Sequence, residues 1–132
     1  MYDSAGLQVL SREECLKLLG KAAIGRLVYT DKALPVVHPV VFALDGECVV
    51  LRVPDGSATL VARDTIVAFQ IDDIAPDLSR GWSVMAVGHV TEVEERERLA
   101  ELHRLPLASR GYGGGDHFLV VDLELLSGRR IP

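Results

Sequence analysis

The chain has 132 residues, of which 48% are hydrophobic, and its 14 Lys and Arg against 19 Asp and Glu leave a net charge of −5. That length sets one domain around one core, and an acidic chain with scattered basic residues excludes a phosphate-backbone partner, so no nucleic acid is expected. No apolar run approaches the ~20 residues of a membrane-spanning helix and the first ten residues lack a secretory pattern, so a cytoplasmic protein with no membrane attachment is expected.

In chain order, Ser11 and Glu14 form an S-x-x-E capping box, with Leu10 and Cys15 in the positions of a hydrophobic staple. A helix is therefore predicted from about Arg12, with Cys15, Leu18, Leu19 and Ala22 on its apolar face and Gly20 and Gly25 ending it. A strand follows over 26–30. Two more strands, ending near Leu44 and starting at Glu47, are joined at Asp45-Gly46, a pair that tolerates positive φ. If Leu44 faces Glu47, Val41 lies opposite Val50 and Pro39 opposite Arg52, and those four side chains share one face. Pro54-Asp55-Gly56 then turns into a short helical stretch over 57–63 with Ser57 as N-cap.

The strand predicted over 65–72 alternates Val67, Phe69 and Ile71 with Ile66, Ala68 and Gln70, which suits a sheet covered on both faces. After an acidic loop, 81–93 is the longest strand, with Trp82, Val84 and Ala86 on one face and Gly88 as a bend or bulge. That apolar face, uncovered in one subunit, is the expected contact of a homodimer. A charged helix over 94–105 carries Leu99, Leu102 and Leu105 as its stripe and stops at Pro106. The following G-Y-G-G-G-D loop reads as a flexible segment and not as a nucleotide fingerprint, because a strand, not a helix, comes next. The last strand covers 117–126 and ends in a turn at Ser127-Gly128. The fold class is mainly β with a few helices: a six-stranded antiparallel barrel.

Few residues announce chemistry. His38, His89, His103 and His117 lack metal-site spacing, so no metal is expected. Cys15 and Cys48 read as small buried hydrophobes in a reducing compartment. Arg52 is the informative residue: a guanidinium near the Ser57 helix start combines charge with backbone N–H groups, as a phosphate requires. The competing reading pairs it with a carboxylate such as Glu47 or Asp55. His38 points to the opposite face from Arg52.

The segments L-S-R-E-E-C-L-K-L-L, I-G-R-L-V-Y-T, P-V-V-H-P-V-V-F, L-R-V-P-D-G-S, G-W-S-V-M-A-V-G-H-V and S-G-R-R-I together resemble the pyridoxamine 5′-phosphate oxidase-like proteins, closest to their nitroimidazole reductase-like branch. The resemblance implies a split β-barrel of the FMN-binding type, a homodimer with its ligand at the interface, and flavin-dependent oxidoreductase chemistry on a small-molecule substrate. It implies that Val40 and Val41 run along the isoalloxazine edge, that Arg52, Ser57 and Thr59 hold the phosphate and ribityl end, and that Trp82 and Ser83 approach from another strand. Relatives usually carry asparagine at the place of Val41 and lysine at the place of Ala58. The alternative is therefore a non-catalytic protein on the same scaffold that binds deazaflavin or haem.

Overall fold

The computed structural model describes residues 1–108 and 115–132. Its elements are β1 (Gln8–Val9), α1 (Arg12–Leu19), β2 (Ile24–Asp31), β3 (Leu34–Asp45), β4 (Cys48–Pro54), a 3-10 turn (Ala58–Ala62), β5 (Ile66–Ile74), β6 (Gly81–Glu92), α2 (Arg96–Leu102), β7 (Asp116–Asp122) and β8 (Leu125–Ile131). Helix α1 starts where the capping box predicts: the Ser11 hydroxyl accepts from the Glu14 amide at 3.2 Å. It buries Cys15, Leu18 and Leu19 against the barrel interior. No helix among the described residues is long and apolar enough to cross a membrane.

The strands run in the order β6-β5-β2-β3-β4-β7, and β7 returns to pair with β6, closing a six-stranded antiparallel barrel. Two further strands, β8 and β1, extend the sheet from β6. The two extra strands have a local cause. The single strand expected over 117–126 breaks into β7 and β8, and Ser127-Gly128 form no turn but pair with Met85 and Val84 inside β8.

Closure depends on β6 serving three ladders. Its first part pairs with β5 and β8, and Val90 to Glu92 pair with β7. Gly88, still paired with Val67 of β5, lies just past the end of the β8 ladder, and a Cβ there would collide with the Asp122 carbonyl. The bend expected at this glycine is thus a point of backbone contact that admits no side chain. Gly25 does not end α1. It lies in β2, where the Phe69 ring fills the place of its missing side chain, and Phe69 meets Phe42 edge-on at 4.8 Å.

The β3–β4 hairpin differs from its predicted register by two residues. Asp45 pairs with Cys48, Ala43 with Val50 and Phe42 with Leu51, so the loop is Gly46-Glu47 with φ of 61° at the glycine. Positive φ at the first loop position only is the type II′ requirement. A slip of two leaves each side chain on its predicted face. Val41 and Val50 do share the outer face, in a second apolar cluster with Leu102, Phe118 and Val120 beneath α2.

Two face assignments change. Strand β5 is covered on one side only: Val67, Phe69 and Ile71 are buried, whereas Ile66 is 60% exposed. Val84 and Ala86 are fully buried in the barrel interior, so they are no subunit contact, and Trp82 is half-buried against the same core. The outer face instead aligns Leu125, Val87, Ala68, Val28 and Val37 in one row across β8, β6, β5, β2 and β3.

Two stability changes of opposite sign are expected in urea unfolding. Gly88→Ala forces the β6–β7 crossing apart and lowers stability by about 2 kcal/mol or more. The β2–β3 loop Lys32-Ala33 holds both residues at positive φ, 52° and 65°, so Ala33→Gly relieves a left-handed alanine and raises stability by about 1 kcal/mol.

Candidate functional site

The β3–β4 ladder stops at Phe42↔Leu51. Beyond it β3 continues on β2 and β4 continues on β7, so the two strands part and open a split in the barrel wall. The backbone amide of Phe42 donates to Ala23 on the β2 side at 3.0 Å. By antiparallel alternation its neighbour Val41 turns its N–H and C=O the other way, toward the split.

A cleft of about 410 Å³ occupies this split, lined by Ile24, Pro39, Val40 and Val41 on one side and Leu51, Arg52 and Val53 on the other, with Ser57, Thr59, Leu107 and Ala108 at its ends. That volume is within the range of small-molecule sites. Five residues named from the sequence therefore meet in one cavity: Val40, Val41, Arg52, Ser57 and Thr59. Trp82 and Ser83 do not. They line separate depressions beside Ile131 and Arg129, and Ser83 accepts from the Gln70 amide at 3.1 Å on the outer sheet face.

Arg52 reaches the cleft as half of an ion pair. Its Nε donates to Asp116 at 2.7 Å and a terminal nitrogen donates to the Leu107 carbonyl at 2.9 Å, while the guanidinium carbon lies 5.3 Å from the centre of the Phe118 ring. Neither Glu47 nor Asp55 is its partner: Glu47 pairs with Arg12 and Asp55 with His117. The Arg52 and Asp116 side chains are 18% and 7% exposed. A phosphate on this side would meet a neutralised guanidinium.

Ser57 accepts from the Thr59 amide at 3.2 Å, and the turn it caps is a five-residue 3-10 segment. Thr59 is buried, and its hydroxyl lies 3.5 Å from His38 Nδ1, which also contacts the Tyr29 hydroxyl at 3.2 Å. His38 thus faces the interior, opposite Arg52. Burial, with the Asp31 charge nearby, pushes the Tyr29 phenol above its ordinary value. Of the cysteines Cys15 is fully buried but Cys48 only half so. Burial and a hydrogen bond to Asp122 push the Cys48 thiol up to about 11, so it is no nucleophile at neutral pH. Among the described residues no group of three or more His, Cys, Asp or Glu is placed to hold a metal ion.

The cleft's geometry coincides with a family assignment. A family model described as pyridoxamine 5′-phosphate oxidase matches residues 11–130. The chain belongs to that family. It is 31% identical to an uncharacterized protein of Mycobacterium tuberculosis over 92% of this chain and 84% of that one. Among solved structures it is similar to an FAD-binding protein from Mycobacterium smegmatis, at 30% identity and a TM-score of 0.85, covering 93% of this chain and 97% of the other. A 5-nitroimidazole antibiotic resistance protein from Bacteroides thetaiotaomicron shares the fold at 15% identity and a TM-score of 0.70, with 95% and 89% covered.

Sequence reasoning missed Ile24, Leu107 and Asp116. Ile24 is a strand residue 65% exposed at the cleft rim, which its position just after Ala22-Ala23 does not reveal. Asp116 reads in the sequence only as the end of the G-Y-G-G-G-D loop, whose residues 111–114 lie outside the described part of the chain. Removing Arg52 takes the ion-pair partner from a carboxylate, Asp116, that is only 7% exposed. Arg52→Ala is expected to lose about 3 kcal/mol of stability in urea unfolding, and Arg52→Ala/Asp116→Ala to recover part of it.

Proposed function

We propose that the protein is a flavin-binding oxidoreductase whose isoalloxazine lies along the β3–β4 split. The observation that carries this reading is the parted ladder: Val41 offers a backbone donor and acceptor to a cavity whose wall is apolar at Ile24, Pro39 and Val40. This set fits a flat ring with a polar edge. A bound flavin would supply two-electron chemistry toward a small-molecule substrate. The chain's part is to hold the ring edge at Val41, to shield it with the valines, and to receive the ribityl hydroxyls at Ser57 and Thr59.

FMN is the form that the family resemblance implies. FAD is favoured by the 30% identical neighbour from Mycobacterium smegmatis, an FAD-binding protein. With Arg52 already paired with Asp116, a terminal phosphomonoester would find little free charge in this cleft.

The proposal includes a homodimer. Trp82 and Ser83 line no part of the cleft within one subunit, so a ligand that touches both sets needs a second copy. The outer row of Leu125, Val87, Ala68, Val28 and Val37, with Leu125 67% and Val37 57% exposed, supports such a contact. A cytoplasmic setting accords with both cysteines being free.

Fluorescence quenching with riboflavin, FMN and FAD tests the reading. Binding of all three with FMN no tighter than riboflavin is expected if Arg52 stays committed to Asp116, and a folded protein that binds none refutes the flavin site. Light scattering should give twice the 14.4 kDa chain mass, and Val87→Glu should return it to one.

A further inference from the structure

His117 joins three parts of the chain through its side chain: its own strand β7, the end of β6 and the turn after β4. It is the second residue of β7, and its side chain is 23% exposed. Nδ1 lies 2.6 Å from Glu92 at the end of β6, and Nε2 lies 2.9 Å from Asp55 in the turn after β4. Glu92 is held a second time, by Arg63 at 2.8 Å from beyond the 3-10 turn, and Asp64 and Glu94 lie around that arginine. On its own strand, the neighbouring Asp116 turns to Arg52; across the β4 ladder the partner is the uncharged Val53.

An ionised carboxylate only accepts, so both contacts exist together only when the imidazole carries two protons. The neutral ring has one N–H and must release one partner. Glu92, 18% exposed and anchored by Arg63, keeps its place, whereas Asp55 is 69% exposed and has water to turn to. The turn that Asp55 belongs to delivers the cleft wall. Ser57 closes it by donating its amide to the Pro54 carbonyl at 3.1 Å, with Gly56 at φ of 80°, and Ser57 and Thr59 line the cavity directly behind it.

We infer that His117 is a positioning residue for the cleft: its doubly protonated ring clasps the Asp55 turn to the barrel and thereby sets Ser57 and Thr59. Both hydrogen bonds raise the pKa of His117 above the ordinary imidazole value, the Glu92 bond most, and Glu92 is lowered by Arg63 first and His117 second. The sign follows. The clasp is fully closed below the ordinary imidazole value and opens as pH rises through the raised one. At the acid end it is lost again as Glu92 is protonated.

The test needs no ligand at its first stage. In the folded apoprotein, the backbone amide resonances of Ser57 and Thr59 are followed with the His117 ring signals across about pH 5.5 to 9.5. They are expected to shift with the His117 midpoint. In Asp55→Asn the exposed side chain becomes an amide that accepts from a protonated Nε2 and donates to a bare one. There His117 should still titrate while Ser57 and Thr59 no longer follow, and in His117→Gln the step should vanish. Stationary Ser57 and Thr59 amides during His117 titration overturn the inference, as does an unchanged step in Asp55→Asn. A second stage rests on the proposed flavin site. Riboflavin affinity should fall about three- to tenfold above the midpoint in the parent, the size of one lost hydrogen bond, and stay level in Asp55→Asn. If the amides behave as expected and no flavin binds at any pH, the clasp stands and the flavin reading falls.

Discussion

The contact of β6 with β7 past Gly88 is the constraint on which the rest depends. An open sheet would leave β7 as an edge and, past Val87 where the β8 ladder stops, the end of β6 as another, each with unpaired backbone groups. Pairing Val90, Thr91 and Glu92 with the far edge removes both. The bend that permits it brings the backbones at residues 88 and 122 too close for any Cβ. Closure also fixes the interior: Val84, Ala86 and Val90 on β6 meet Leu119 and Val121 on β7 within one core.

A six-stranded ring cannot keep all its ladders full length while the strands twist and tilt. Here β2 with β5 and β6 with β7 exchange three residue pairs each, and β3 with β4 exchange four. Strands β3 and β4 both run on, each committed to its other neighbour, eight pairs for β3 with β2 and seven for β4 with β7. The candidate site is thus a by-product of how the barrel closes. Its polar edge is backbone, so the chemistry it offers depends little on which side chains stand at Val40 and Val41.

Local signals were legible and distant ones were not. The capping box at Ser11, the Gly46 turn and the alternation of β6 rest on interactions within a few residues, and they appear where the sequence puts them. The hairpin slipped by two because Asp45-Gly46 and Gly46-Glu47 are both acceptable loops, and only the whole ladder decides between them. Trp82, Val84 and Ala86 alternate correctly, but periodicity does not say which face turns inward; barrel closure does. Five of seven expected site residues come together because they flank one hairpin and one turn. Trp82 and Ser83 belong to a strand whose position relative to that hairpin is set by tertiary packing alone. The partner of Arg52 was unreadable for the same reason: Asp116 is 64 positions away, while Glu47 and Asp55, near in sequence, pair with Arg12 and His117.

Arg52 shows how one side chain can be structural without being remote from function. Its two hydrogen-bond partners, the Leu107 carbonyl and Asp116, come from different parts of the chain and meet at this one guanidinium beside the cleft. Stacking on Phe118 ties the same group to the apolar cluster under α2. Charge that would otherwise be offered to an anion is spent on holding Leu107 and Asp116 together. His117 on the next residue repeats the arrangement from the other side of β7, with Asp55 and Glu92 as its carboxylates. Successive residues of one strand therefore point to opposite sides, each tying a different border of the split to the barrel. The walls of the cleft are held by ion pairs, and what remains open inside it is backbone, hydroxyl and hydrocarbon.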